Sequence, residues 1–252
     1  MAEAVILKVD DLKVHFHLDE GVLKAVDGVS FELRQGRTLG IVGESGCGKS
    51  VSSFALLRLL PKTAKISGSV EYFSEKEGNT LELLQLPDQK LRDIRGGGIA
   101  MIFQEPMKAF SPVHTIGNQI GEAVMLHVEP NPDKAREIVL DALRKVGMSN
   151  PEQRIDEYTH QLSGGMRQRA LIAMSIACRP RILIADEPTT ALDVTVQAQV
   201  LDLIGELKEE FGSAVIFITH DLGVIAEMSD EVAVMYLGKI FNTAGYFSGF
   251  RQ

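Results

Sequence analysis

Eight residues, Gly43-Glu44-Ser45-Gly46-Cys47-Gly48-Lys49-Ser50, constrain this chain more than any other stretch. The pattern G-x-x-x-x-G-K-S follows an apolar run, Thr38 to Val42, and precedes residues with helical apolar spacing. Strand, glycine loop and helix are therefore expected in that order. Gly43, Gly46 and Gly48 carry no side chain, which lets backbone N–H groups turn inward around an anion. A helix beginning near Lys49 and Val51 adds its positive end, Lys49 adds a point charge for the outer phosphates, and the Ser50 hydroxyl is a ligand suited to Mg²⁺. A flexible glycine turn is the competing reading of the loop in isolation.

The rest of the composition bounds what carries this loop. The chain has 252 residues, 45% of them apolar, enough for one large α/β domain or two small ones. No apolar stretch approaches the length of a membrane span, and Met1-Ala2-Glu3-Ala4 lacks the basic flank of a secretory signal, so a cytoplasmic chain is expected. Two cysteines, Cys47 and Cys178, cannot build a disulfide framework or a four-cysteine metal site. With 34 acidic and 26 basic residues the formal charge is −8, which argues against a sequence-independent grip on nucleic acid. A small local basic patch stays open.

Short apolar and polar alternation from Val5 to Leu33, broken at Asp19-Glu20-Gly21, reads as strands. Val51 to Leu60 reads as a helix ended by Pro61. Ser67–Phe73, Thr80–Leu84 and Ile99–Phe103 read as further strands, the last stopping at Gln104-Glu105-Pro106. Helical patterns then dominate (Thr115–His127, Asp133–Val146, Gly165–Ala177), forming a helical insert. Beyond Pro180 alternation resumes: a strand at Arg181–Ala185, a helix at Val194–Phe211, a strand at Ala214–Thr219, a short helix after Asp221 and a strand at Glu231–Tyr236. Such alternation implies a parallel sheet covered on both faces.

Ile182 to Glu187 is an apolar strand ending in two carboxylates, and open parallel sheets place ligands at the carboxyl ends of their strands. Neighbouring residues there point in different directions. Asp186 is thus a candidate for the metal held by Ser50, and Glu187 for orienting or deprotonating a water aimed at the γ-phosphate. A solvated turn before Pro188 is the other reading. His220, after the strand ending at Thr219, is a candidate sensor of the terminal phosphate. Gln104, also at a strand end, can accept from a metal-bound water. Each of these two is otherwise an ordinary loop residue. Ser163 is a natural N-cap, and Gly164 and Gly165 expose N–H groups at the positive end of a helix, a second anion site. One nucleotide needs one cradle, so the second suggests service to a nucleotide on another subunit. Cys47 lies at a helix N-terminus, where the thiolate is favoured and alkylation slowed by Mg-ATP is expected.

These segments (GESGCGKS, IFQEP, LSGGM, ILIADEPTTALD and ITHD, in that order) resemble the ATP-binding subunit of ABC transporters. The resemblance runs from about Val5 to Ile240. It implies an α/β P-loop NTPase with a RecA-like core, an N-terminal antiparallel β subdomain and an α-helical subdomain. By that resemblance the whole chain is a single ATPase domain, with core and β subdomain at about 1–104 and 179–240, helices at about 105–178, and an atypical end at 241–252. It further implies ATP and Mg²⁺ as ligands. Lys49 and Ser50 fall in Walker A, Gln104 in the Q-loop, Ser163 to Gly165 in the signature, Asp186 in Walker B, Glu187 as catalytic base, Asp193 in the D-loop, and His220 as the switch histidine. Phe16 matches the aromatic that stacks on adenine; a core aromatic is its alternative.

Longer runs, such as MIFQEPMKAFSPVHTIGNQI, resemble the oligopeptide and dipeptide import branch. That implies a peripheral chain on the cytoplasmic face of the membrane, paired with a related ATPase subunit or with a second copy of itself. Two membrane permease subunits and, indirectly, an external solute-binding protein complete the implied assembly, with no nucleic acid. A groove near Gln104, Met107, Phe110 and Thr115 is expected to receive a permease helix, or else is ordinary core. Importers of oligosaccharides or metal chelates by the same machinery, and soluble ATPases of the superfamily, are the alternatives. The stretch from Gln104 to Leu162 is too short for the coiled coil of the DNA-repair branch, and a single cassette disfavours the ribosomal one. Met166 replaces a glutamine common in the signature. Members of the branch usually continue past the equivalent of Ile240, so the ending is read as natural or truncated, with no iron–sulfur cluster expected.

Overall fold

The computed structural model describes residues 4–105, 109–190 and 192–245, the side chains of 242–245 excepted. In chain order the elements begin with β1 (Val5–Leu18), β2 (Gly21–Arg34), β3 (Thr38–Val42), α1 (Lys49–Leu56), β4 (Ala64–Ser74), β5 (Asn79–Glu82), α2 (Asp88–Ile94) and β6 (Ile99–Ile102). Next come α3 (Ile116–His127), α4 (Pro132–Lys145), α5 (Pro151–Arg154), a single 3₁₀ turn at Thr159–Gln161, and α6 (Gly164–Ile176). The series closes with β7 (Ile182–Asp186), α7 (Val194–Phe211), β8 (Ala214–Thr219), α8 (Leu222–Met228), β9 (Glu231–Tyr236) and β10 (Lys239–Gly245). No described helix is long and apolar enough to cross a membrane. Two compact units divide the chain: residues 1–92 with 214–252, and residues 93–213. The second takes in β6, β7 and α7 as well as the helical insert expected over 105–178.

In the first unit an antiparallel sheet runs in the order β2-β1-β4-β5. Alternation sets its buried face, yet Val9 and Leu12 are both buried although only Asp10 and Asp11 lie between them, a spacing that would put them on opposite faces. A bulge resolves this. The register slips between Val9 and Leu12, and Asp11 takes φ 48° to absorb the extra residue. A second group of strands runs β10-β9-β3-β8, with β3 parallel to both β8 and β9 and β10 antiparallel to β9. All five residues of β3 are buried, as befits a strand with parallel neighbours on both sides. Phe241 to Gly245, part of the atypical ending, therefore continues β10, whereas Tyr246–Gln252 lie outside the described residues.

Helix α1 stops at Leu56, short of Leu60 and well before Pro61. The stop is a Schellman motif: Leu59 N–H donates to Phe54 O at 2.9 Å and Arg58 N–H to Ala55 O at 3.0 Å, with Arg58 at φ 51°. An arginine in that conformation costs about 1 kcal/mol relative to glycine. Its guanidinium offsets this by donating to Leu86 O and, at 2.8 Å, to Asp88 Oδ1.

In the second unit β6 and β7 pair in parallel, and α6 packs on β6, with Ser175 Oγ donating to Met101 O at 3.1 Å. The helices start where capping residues predict. Thr115 accepts from Asn118 N, and Asn131 accepts from Asp133 N and Lys134 N ahead of Pro132 at the first turn of α4. Their apolar faces meet through residues such as Ile120, Val139 and Leu171, each wholly buried. Helix α2, the short α5 and the 3₁₀ turn were not expected from the apolar pattern.

Arg136 on α4 forks onto Asp156, Nη1 to Oδ1 at 3.0 Å and Nη2 to Oδ2 at 2.8 Å. That guanidinium holds the Asp156 carboxyl below its ordinary value of 3.8. A folded value below the unfolded one means stabilisation that is complete above the unfolded pKa and lost as pH falls through the folded one. Asp156 is 63% exposed, so solvent screens the pair. Asp156→Asn should cost no more than about 1 kcal/mol at neutral pH, and the difference from the parent should vanish in strong acid. Urea midpoints at the two pH values check this.

Candidate functional site

The first unit builds the phosphate loop from both ends. Glu44, Ser45 and Gly46 are exposed, while Cys47, Gly48 and Lys49 are buried. A Cβ on Gly43 would stand 2.1 Å from Met235 O, and one on Gly48 would stand 2.3 Å from Ala25 O, with Gly48 at φ 108°. Backbone thus approaches the loop too closely for any side chain there, which excludes the reading of a flexible glycine turn. Lys49 is 4% exposed, and its ammonium donates to Gly43 O at 2.7 Å and Glu44 O at 2.9 Å, so its charge is held within the loop. Ser50 and Val51 lie half-buried in the first turn of α1, whose N-cap Gly48 contributes no side-chain bond.

Register brings His220 to the same edge. Val42 pairs with Thr219 across the parallel β3 and β8, so Gly43 and His220 each leave the sheet one residue later. His220 is exposed. Asp221, next in sequence, caps α8 by accepting from Gly223 N at 2.8 Å. Phe16, on β1 opposite Leu23 and Ala64, is half-buried rather than part of the core. Exposed Leu18, Val22 and Leu23 surround that end of the hairpin.

Cys47 departs from expectation. Its thiol is on the inner side of the loop, in a residue 6% exposed, so reagents reach it poorly whatever else the loop holds. Cys178 is no more reactive, because burial pushes its thiol up to about 11. The main chain of Cys47 is also engaged, its O accepting from Gly238 N at 2.9 Å.

The second unit holds the carboxylates. Asp186, at the end of β7, is 1% exposed. Glu187 follows it with φ 45°, a conformation costing about 1 kcal/mol or more for a residue with a side chain. Gln104 Nε2 and Thr190 Oγ1 both donate to Glu187 Oε2 at 2.9 Å. Thr190 N–H also donates to Glu187 O at 3.2 Å, which closes the turn that holds the strained residue. Gln104 is therefore bonded directly to the carboxylate. Thr190 and Gln168 were missed by sequence reasoning. Gln168 is 2% exposed and donates to Pro188 O at 2.5 Å, pinning the turn from below. The spacing of a threonine three residues past a strand-end glutamate was the available signal.

Ser163 caps α6, accepting from Met166 N at 3.3 Å. Gly164 and Gly165 have ordinary negative φ. Among the described residues, a Cβ on Gly164 would meet nothing within 4 Å, and one on Gly165 would make only ordinary contact with Val196 at 3.7 Å. Asp193 caps α7, accepting from Val196 N at 3.0 Å. Of the groove expected to receive a permease helix, Met107 lies outside the described residues, and Phe110 is 5% exposed.

The family model of ABC transporters matches residues 26–190. A probable peptide ABC transporter ATP-binding protein of Sinorhizobium fredii is 54% identical over 241 residues, 95% of this chain and 70% of that protein. A dipeptide transport ATP-binding protein of Bacillus subtilis is 50% identical over 236 residues, 93% of this chain and 69% of that one. Among solved structures, a dimeric bacterial ABC transporter cassette matches with a TM-score of 0.82 at 25% identity, covering 95% of this chain and 98% of the other.

Two glycine substitutions should behave oppositely. Gly48→Ala forces a Cβ onto Ala25 O and should destabilise the first unit by about 1–3 kcal/mol or more. Gly164→Ala meets open space in a helical turn and should leave the chain as stable or up to about 1 kcal/mol more stable. Thermal melts of the two variants beside the parent check this.

Proposed function

The chain belongs to the ABC transporter family as an ATP-binding and ATP-hydrolysing subunit, and on that premise we propose that it powers a peptide importer. The observation that carries the ATPase half of this reading is the packed glycine loop with His220 in register beside it. The peptide-transport half rests on relatives named for peptide and dipeptide transport, and the inward direction on the resemblance of the longer runs to the import branch.

In this proposal the main-chain amides of Gly43 to Ser50 and the Lys49 ammonium bind the phosphates, and Phe16 stacks on the adenine. Ser50 in the first unit and Asp186 in the second each offer an oxygen of the kind that Mg²⁺ takes. Bound there, the ion would supply charge neutralisation for the β- and γ-phosphates. Glu187 orients and deprotonates the attacking water. Its partners, Gln104 and Thr190, hold the carboxylate in place through their hydrogen bonds to Oε2. His220 contacts the γ-phosphate end of the nucleotide. Ser163 to Gly165 and Asp193 serve the nucleotide of a second ATPase subunit, a related chain or another copy. The pair works beneath two permease subunits at the cytoplasmic face of the membrane, with an external binding protein delivering solute.

Glu187→Gln should retain ATP binding and slow hydrolysis by roughly 10²–10⁴-fold; steady-state turnover near that of the parent would remove Glu187 from the role. Lys49→Ala should weaken ATP binding itself, read by nucleotide titration. A pull-down from solubilised membranes should recover permease subunits, and recovery of ribosomal or DNA-repair partners in their place would sink the importer reading.

A further inference from the structure

The second unit holds a cavity of about 400 Å³ that none of the proposed nucleotide-site residues lines. One face of α4 forms a wall, and the C-terminal ends of α6 and α7 form the rest. The floor is apolar: Ile138, Ala142, Ile176 and Phe211. Ala142 and Ile176 are 4% and 3% exposed, so this is the edge of the core opening outward.

Charge of both signs surrounds the floor. Lys134 pairs with Glu129 at 3.8 Å, and Lys145 pairs with Glu210. Arg179 makes no carboxylate pair among the described residues; its guanidinium lies 5.8 Å from the centre of the Phe211 ring. Glu137 and Asp141, one helical turn apart on α4, likewise pair with no cation among the described residues. A cation on one wall and two carboxylates on another thus share an apolar cavity without meeting each other.

That arrangement excludes several ligand classes. Three cations and three carboxylates line the cavity, so it presents no net field to a phosphate or another simple anion. No described group of three His, Cys, Asp or Glu residues could hold a metal ion. A wholly apolar ligand would desolvate Asp141 and Arg179 without pairing them. A molecule with an apolar body, an amine at one end and a carboxylate at the other meets all the walls at once, and the volume lies in the lower part of the usual range for ligand pockets, roughly 300–1,000 Å³.

We propose that this cavity binds a short peptide or apolar amino acid as its zwitterion, with the amine on Asp141 and Glu137, the carboxylate on Arg179, and the side chains on Phe211 and Ile138. The binding chemistry stands on the cavity alone; the choice of a peptide over a single amino acid, and any regulatory meaning, rest on the importer reading. Helices α6 and α7 begin at the Ser163 and Asp193 caps and end at this cavity. Their 13 and 18 residues span about 20 and 27 Å, so an occupant touches the far ends of the helices that carry the signature and Asp193. Imported cargo bound there would report its own cytoplasmic concentration to the ATPase.

The test is calorimetric titration of the whole chain, without nucleotide, using Leu-Leu, its N-acetyl form and its C-terminal amide. Saturable binding of Leu-Leu is expected, weakened about tenfold or more by either blocking group. Asp141→Asn should produce the same loss and make N-acetylation nearly neutral. Arg179→Asn, which suits the φ of 49° at that position, should do so for amidation. No saturable binding, or binding indifferent to both substitutions, overturns the proposal. Recovery of ribosomal or DNA-repair partners in the membrane pull-down would count against the importer reading while leaving these titrations unchanged, so the two failures are separable.

Discussion

The carbonyl oxygens of Ala25 and Met235 stand where side chains at positions 48 and 43 would otherwise be, and the geometry of the first unit follows from that contact. It joins β2, β9 and the phosphate loop through main chain alone. The turn between β9 and β10 completes the stitch, since Gly238 accepts from Asp27 N at 2.8 Å and donates to Cys47 O at 2.9 Å. Main-chain contacts of this kind fix a position without depending on rotamers. The amides of the loop are therefore already placed, and little ordering entropy would remain to be lost on binding an anion.

The second unit solves a related problem by a different route. Glu187 must leave a buried strand immediately after Asp186, and it does so through φ 45°. The strain is tolerated because the surroundings over-determine it: Thr190 bonds both its carbonyl and its carboxylate, Gln104 bonds the carboxylate, and Gln168 holds the next residue, Pro188. Gln104 enters from the end of β6, the strand paired with β7. Any movement of the segment after β6 therefore changes the hydrogen bonding of the proposed base.

Much of this was legible because local rules and packing agree. Strands β3, β7, β8 and β9 are unbroken apolar runs, and α3, α4, α6 and α7 begin at Thr115, Asn131, Ser163 and Asp193, residues that satisfy free helix amides. Errors arose where a distant partner decided the outcome. Arg58 ends α1 early because Leu86 and Asp88, some thirty residues on, hold its side chain. Asp11 makes a bulge that no alternation pattern encodes. Cys47 looked like a reactive thiol by its place in the chain, and only packing beneath the loop reveals it as buried. Phe16 stayed ambiguous for the converse reason: exposure at the end of a hairpin is set by what does not cover it.

Gly164 bears on the proposed pairing because none of the described residues explains it. Its φ is ordinary, open space surrounds its missing Cβ, and in a helical turn glycine costs about 1 kcal/mol against alanine. Gly43 and Gly48, by contrast, are each required by a carbonyl a little over 2 Å away from the place of a side chain. A glycine that its own fold does not need is explained by something that approaches from outside, closer than a methyl group permits. Exposed Val194, at 84%, stands beside Asp193 on the same unit, a large apolar side chain left to solvent at the start of α7. Both features acquire a physical reason once a second ATPase subunit brings a nucleotide against the amides of Ser163 to Gly165. The packed loop at Gly43 to Ser50 is complete as a cradle, and on this argument its nucleotide is enclosed only when another chain presents the same bare turn to it.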